Sequence, residues 1–138
     1  MKNTFLIIVS LFLIASAAHA QVSVIVNKSV PENGIPASKL ANIYSLEITK
    51  WGNGSRIVVF DYSSANNQQN SFYSYISKSS LDLKKEWMKK QLTGEAKAPE
   101  TLNSDDEVLA KVASTPGAIG YVKSSLVNSS VKGVAEIK

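Results

Sequence analysis

The 138-residue sequence contains no cysteine and one histidine, His19. Without cysteine there is no disulfide stapling and no zinc site of the Cys/His kind. His19 itself lies in a segment that reads as removable, so the working chain would carry no imidazole. Ser-His-Asp and Cys-His nucleophile systems are excluded with it. An enzyme would have to rely on carboxylates, Lys, Tyr or a borrowed cofactor, and no carboxylate pair stands at a persuasive spacing. The densest acidic run, Asp105-Asp106-Glu107, reads as charge at a helix start. The expectation is therefore a non-catalytic protein with no metal ligands and no cofactor.

Strong charge is also missing. Fifteen basic residues face eleven acidic ones, which is too mild a balance to require a nucleic-acid partner. Beyond residue 20 no stretch is apolar enough to cross a bilayer, so no stable membrane insertion is expected of the processed chain.

What is present begins with an export signal. Lys2 supplies a positive start, residues 5–18 are apolar apart from Ser10 and Ser16, and Ala18-His19-Ala20 offers small residues for a peptidase. Cleavage before Gln21 follows, and with it a periplasmic address. The apolar run is shorter than the ~20 residues of a membrane span, which argues against a retained anchor. With residues 1–20 removed, 118 of the 138 remain, the length of one ordinary domain.

Periodicity then predicts the elements. Residues 22–26 are β-branched and read as a buried strand. Pro31, Asn33-Gly34 and Pro36 mark a loop, and residues 38–46 an amphipathic helix. Trp51-Gly52-Asn53-Gly54 is a turn. Residues 56–62 hold the run Ile57-Val58-Val59-Phe60, typical of a strand covered on both faces. A helix to about residue 77 follows, capped by Ser64 or Asn66, with Phe72, Tyr75 and Ile76 inward. Residues 80–92 form another helix, with Leu81, Trp87, Met88 and Leu92 inward and Gly94 ending it. Residues 95–102 are a polar loop. Asn103 or Ser104 caps a helix over 105–113, and strands follow near 118–122 and 133–137. The order describes a single α/β domain with a small mixed sheet of about four strands flanked by helices.

Several segments in this order resemble the phosphate-binding proteins of ABC importers. They are Leu40-Ala41-Asn42-Ile43-Tyr44, then Ile48-Thr49-Lys50-Trp51-Gly52, then Ile57-Val58-Val59. Phe72, Tyr75-Ile76, Trp87, Thr93-Gly94 and Thr115-Pro116-Gly117-Ala118-Ile119-Gly120-Tyr121-Val122 continue the match. In that family a Gly-Lys precedes the Ile-Thr-x-Trp turn; here Leu46-Glu47 stands there. The resemblance covers about residues 22–122. It implies one lobe of a type II periplasmic binding protein-like fold, where complete members close two lobes on a ligand. It also implies a small oxyanion such as phosphate as ligand, and an ABC transporter permease as partner.

The residues themselves select a site. Open α/β sheets bind ligands beyond the carboxyl ends of their strands, where helix N-termini favour anions. Tyr62, Ser63, Ser64, Asn66, Asn67 and Gln68 form such a strand-to-helix junction. An ordinary cap and turn would look the same. The resemblance points to this loop too, but Tyr62 stands where the two-lobed relatives carry an Arg, and their Asp-Gly-Ser-Gly-Thr-Thr is absent. That loss removes a charge-assisted, often bidentate contact to an anion.

Other features have plainer readings. Lys84, Lys85, Lys89 and Lys90 read as a solvated face, with Glu86 four residues before Lys90. Trp51 reads as a packing anchor, and Asn27, Lys28 and Ser29 as a polar loop. Two functions follow. One is an exported, non-catalytic solute-binding module. The alternative is an envelope interaction module that self-associates or docks another envelope protein through the face a second lobe would cover.

Overall fold

The computed structural model describes residues 21–138, and the expected signal segment lies outside them. Strand β1 (Val22–Val26) leads into helix α1 (Ala37–Tyr44) and strand β2 (Val58–Tyr62). Two helices follow, α2 (Asn67–Tyr75) and α3 (Ser80–Leu92), then strand β3 (Glu100–Leu102) and helix α4 (Asp105–Ser114). Strand β4 (Ala118–Lys123), a short 3-10 turn and strand β5 (Lys132–Ile137) end the chain. One sheet joins the strands in the order β3-β2-β4-β1-β5. β2 runs parallel to β3 and β4, and β1 is antiparallel to β4 and β5.

The strand sequences explain their places. Val24, Ile25 and Val26 are consecutive and all fully buried, as are Ala118 and Ile119. Period-2 alternation fails there because helices cover both faces of the central strands. β5 lies at an edge and only Val134 and Ile137 of it are buried. β3 is the other edge, and it adds a fifth strand to the expected four. It falls inside the stretch read as a polar loop. Glu100 and Thr101 are exposed, so no apolar signal marks it; pairing Phe60↔Glu100 and Tyr62↔Leu102 with β2 makes it a strand.

The helices follow their caps and their buried stripes. Asn66 Oδ1 accepts the Gln69 N–H at 2.8 Å, Ser79 Oγ that of Asp82 at 3.1 Å, and Ser104 Oγ that of Glu107 at 3.2 Å. Leu40, Ile43 and Tyr44 of α1 face the core as expected. Phe72 of α2 and Ile76 just after it are buried, but Tyr73 replaces Tyr75 on the inner face and Tyr75 is exposed.

The inner face of α3 also differs from expectation. Leu83 and Trp87 are buried, four residues apart on one stripe. Leu81, Met88 and Leu92 are 62, 62 and 82 % exposed. A helix turns 100° per residue, so residues 81, 88 and 92 share the face opposite Leu83 and cannot pack with it. Trp87 chooses the stripe that faces inward, because its indole N–H donates to the Tyr44 carbonyl at 2.5 Å. Lys90 also departs from its expected Glu86 partner. It pairs with Glu95 at 3.0 Å and Glu47 at 3.7 Å.

The Pro-Gly-Ala-Ile-Gly-Tyr segment carries three separate packing demands. Gly117 has φ +75, and a Cβ there would stand 2.3 Å from the Arg56 carbonyl oxygen. Its own carbonyl accepts the Trp51 indole N–H at 2.9 Å, which makes Trp51 the expected anchor. A Cβ at Gly120 would meet Val108 at 2.8 Å and Val112 at 3.1 Å, so the missing side chain lets α4 lie on β4. Asn27, read as a loop residue, is buried and donates to the Val112 and Ala113 carbonyls, closing the end of α4.

Candidate functional site

β2 and β3 run in parallel and end side by side, and the chain leaves β2 through Ser63-Ser64-Ala65 into α2. A cavity of about 470 Å3 opens at this end. Tyr62, Ser63 and Ser64 line it from the β2–α2 loop, and Thr101 from β3. Lys78 and Ser79 line it from just before α3, and Ser80 and Lys84 from its first turns. No Asp or Glu contributes to the lining. Two ammonium groups, several hydroxyls and the N-terminus of a 13-residue helix thus meet in a wall that contains no carboxylate.

The six residues singled out in the sequence divide into two groups. Tyr62, Ser63 and Ser64 reach the cavity wall; Asn66, Asn67 and Gln68 do not. Asn66 is the α2 cap. Asn67 is exposed, and Gln68 turns away to donate from Nε2 to both Asp105 oxygens at 2.9 Å. Asp105 is therefore more than charge at a helix start, because it ties α4 to α2. Ser63 donates to Asn103 Oδ1 at 2.6 Å, while Ser64 and Thr101 stand exposed at the rim. Sequence reasoning did not find Thr101, Lys78, Ser79, Ser80 or Lys84. Their nearness to Ser64 depends on how α3 folds back, and no local pattern encodes that. The basic character of α3 was the available signal.

Tyr62 is held in place rather than presented. Its ring is buried, and its hydroxyl lies 2.9 Å from the Tyr121 carbonyl and within reach of the Asp105 carboxylate. With one proton it donates to one of them at a time. Beneath it sits Asp61, 1 % exposed. The Asp61 carboxylate accepts from the Tyr62 N–H at 2.7 Å, the Tyr73 hydroxyl at 2.7 Å, the Tyr121 hydroxyl and Gln69 Nε2. No cation touches it. Burial raises its pKa above the ordinary carboxylate value, and these four donors oppose the rise without cancelling it. Burial and the neighbouring Asp61 and Asp105 carboxylates also push the Tyr62 phenol up, and burial with Asp61 does the same for Tyr73 and Tyr121. All three tyrosines act as neutral donors. The network ties the floor of the cavity together.

Among the described residues no group of three or more His, Asp or Glu could hold a metal ion, and no helix is long and apolar enough to cross a membrane.

The sequence profile of the PBP superfamily domain matches residues 15–136. The chain belongs to the PBP superfamily. No curated protein matches its sequence. Its fold is similar to a protein from Clostridium perfringens described as a phosphate ABC transporter substrate-binding protein with bound phosphate. The TM-score is 0.69 at 20 % identity, covering 83 % of this chain and 45 % of that one. An ABC-type phosphate transport receptor from Vibrio cholerae gives 0.65 at 19 % identity, over 83 % and 47 % of the two chains. PstS from Borrelia burgdorferi gives 0.62 at 18 % identity, over 84 % and 47 %. This PBP-like chain thus spans under half the length of these relatives.

Proposed function

We propose that this PBP-like chain is an exported solute-binding module, cleaved after Ala20, whose residues 21–138 bind a small oxyanion such as phosphate. One observation carries the reading: the cavity at the carboxyl end of β2 is lined by Lys78, Lys84, Ser63, Ser64 and the start of α3, with no carboxylate among them. Such a lining suits an anion by charge and by hydrogen-bond donors. The names of the similar proteins from Clostridium perfringens and Vibrio cholerae point to the same ligand. Where the resemblance would put an Arg, Tyr62 is tied down internally, so the positive charge comes from α3 instead. Lysine offers a point charge without the bidentate fork of arginine, so affinity is modest and discrimination among oxyanions weak. Asn66, as the α2 cap, and Gln68, through Asp105, contribute by fixing the loop that presents Ser63 and Ser64, while Asn67 stands exposed beside it. Hand-over to a permease belongs to the same reading.

Isothermal titration of the chain from Gln21 with phosphate and sulfate tests it. Lys84→Ala should weaken binding about tenfold, the ~1.4 kcal/mol expected for one charge-assisted contact. The absence of both heat and a thermal shift at millimolar phosphate and sulfate would overturn the proposal.

A further inference from the structure

A second cavity, of about 610 Å3, lies toward the other end of the β2–β3 pair. It is walled by the start of β2, the turn before it, and the loop that leads into β3. Its size falls within the range of small-molecule pockets. It shares no lining residue with the cavity at the β2–α2 loop.

The floor is apolar. Leu46, Ile57 and Val59 are 6, 8 and 7 % exposed, and Ala96 and Ala98 pack partly buried beside them. Leu46 sits there at φ +65, a left-handed conformation that disfavours a side chain. The backbone strain is retained where a large apolar group meets the cavity.

Around this floor the charges are unbalanced. Lys50, Arg56 and Lys97 line it together with Glu95 and Glu100. Both carboxylates are engaged by cations outside the lining, Glu95 by Lys90 at 3.0 Å and Glu100 by Lys111 at 3.7 Å. The four ion pairs among the described residues include neither Lys50, Arg56 nor Lys97. Lys50 and Arg56 are moreover direct cross-strand partners in an antiparallel bridge. Directly opposed residues put their side chains on one face about 5 Å apart at Cβ, and like charges placed so repel. A bound anion between them would turn this repulsion into two attractive contacts.

We infer that this cavity binds a small organic anion with an apolar body: the anionic group between Lys50 and Arg56, the body over Leu46, Ile57 and Ala98. The pairing of an apolar floor with a cationic rim selects against two simpler classes. Inorganic oxyanions leave the floor unfilled, and neutral apolar molecules leave the two cations facing each other. The site is independent of the oxyanion proposal, because it lies at the opposite end of the same strands.

Amide chemical-shift mapping on the 15N-labelled chain from Gln21, with octanoate as probe, tests the inference. Octanoate should move amides within 46–59 and 94–100. Acetate, which lacks the body, and octylamine, which reverses the charge, should leave them at the same concentration. Arg56→Ala and Lys50→Ala should each weaken octanoate at least fivefold. Both side chains are exposed, so the variants should melt within a few degrees of the parent. Inorganic phosphate should move the 62–65 and 78–84 amides instead, which separates the two sites. The inference falls if octanoate moves none of the 46–59 and 94–100 amides. It falls equally if octylamine moves them as far, or if the two variants bind octanoate like the parent.

Discussion

Leu46 offers a sharp test of backbone against side chain. It follows α1 at φ +65, and its side chain is 6 % exposed. Truncation to Ala removes buried methyl groups at the edge of a cavity and should destabilise by about 2–3 kcal/mol. The strain remains, because alanine also carries a Cβ. Truncation to Gly loses slightly more surface but releases about 1 kcal/mol of left-handed strain. Leu46→Gly should therefore be more stable than Leu46→Ala by about 1 kcal/mol, although both fall below the parent. At Lys85, exposed in the middle of α3, the order should reverse, with Ala above Gly by about 1 kcal/mol. Urea denaturation of the four variants reads both differences as shifts in midpoint at constant slope. The reasoning is refuted if Leu46→Ala matches or exceeds Leu46→Gly.

Other outcomes follow from particular contacts. Gly117→Ala combines a φ of +75 with a 2.3 Å approach to the Arg56 carbonyl, so it should destabilise by at least about 3 kcal/mol in a thermal melt. Burial raises Asp61 above its usual 3.8, so its stabilising share is complete below that value and is lost as pH rises through the higher folded value. The urea midpoint of the parent relative to Asp61→Asn should accordingly fall from pH 4 to pH 7; a flat or rising difference would contradict the assignment. Trp87→Ala should cost about 3–5 kcal/mol, since it empties a buried site and orphans the Tyr44 carbonyl, whereas Leu92→Ala should stay within about 0.5 kcal/mol. Equal melting temperatures for those two variants would overturn the described orientation of α3.

The sequence went furthest where one local rule acts alone. β1 and β2 announced themselves by β-branched runs, and Asn66 and Ser104 by capping chemistry. Resemblance pointed to a family of binding proteins, and the profile match over residues 15–136 shows membership of the PBP superfamily. Gly117 and Gly120 stood in the most specific segment, but their reasons are distances to Arg56, Val108 and Val112. Half of the candidate site was legible in the same way. Tyr62 ends a buried strand and Ser63 and Ser64 lead from it toward a helix, and that order alone places them at a strand end.

Tertiary structure decided whatever depended on a partner distant in the chain. β3 exists because β2 offers an unpaired edge, not because Glu100 and Thr101 favour a strand. Three apolar residues of α3 point outward because a helix with apolar groups on two faces can bury one, and the indole contact to Tyr44 selects which. The lysines read as a solvated face divide for the same reason: Lys84 borders the cavity and Lys90 turns to Glu47 and Glu95. Charge, capping and periodicity are properties of neighbours along the chain and can be read from it. Which cation meets which hydroxyl is set by how packed elements cross, and no sequence spacing carries that distance.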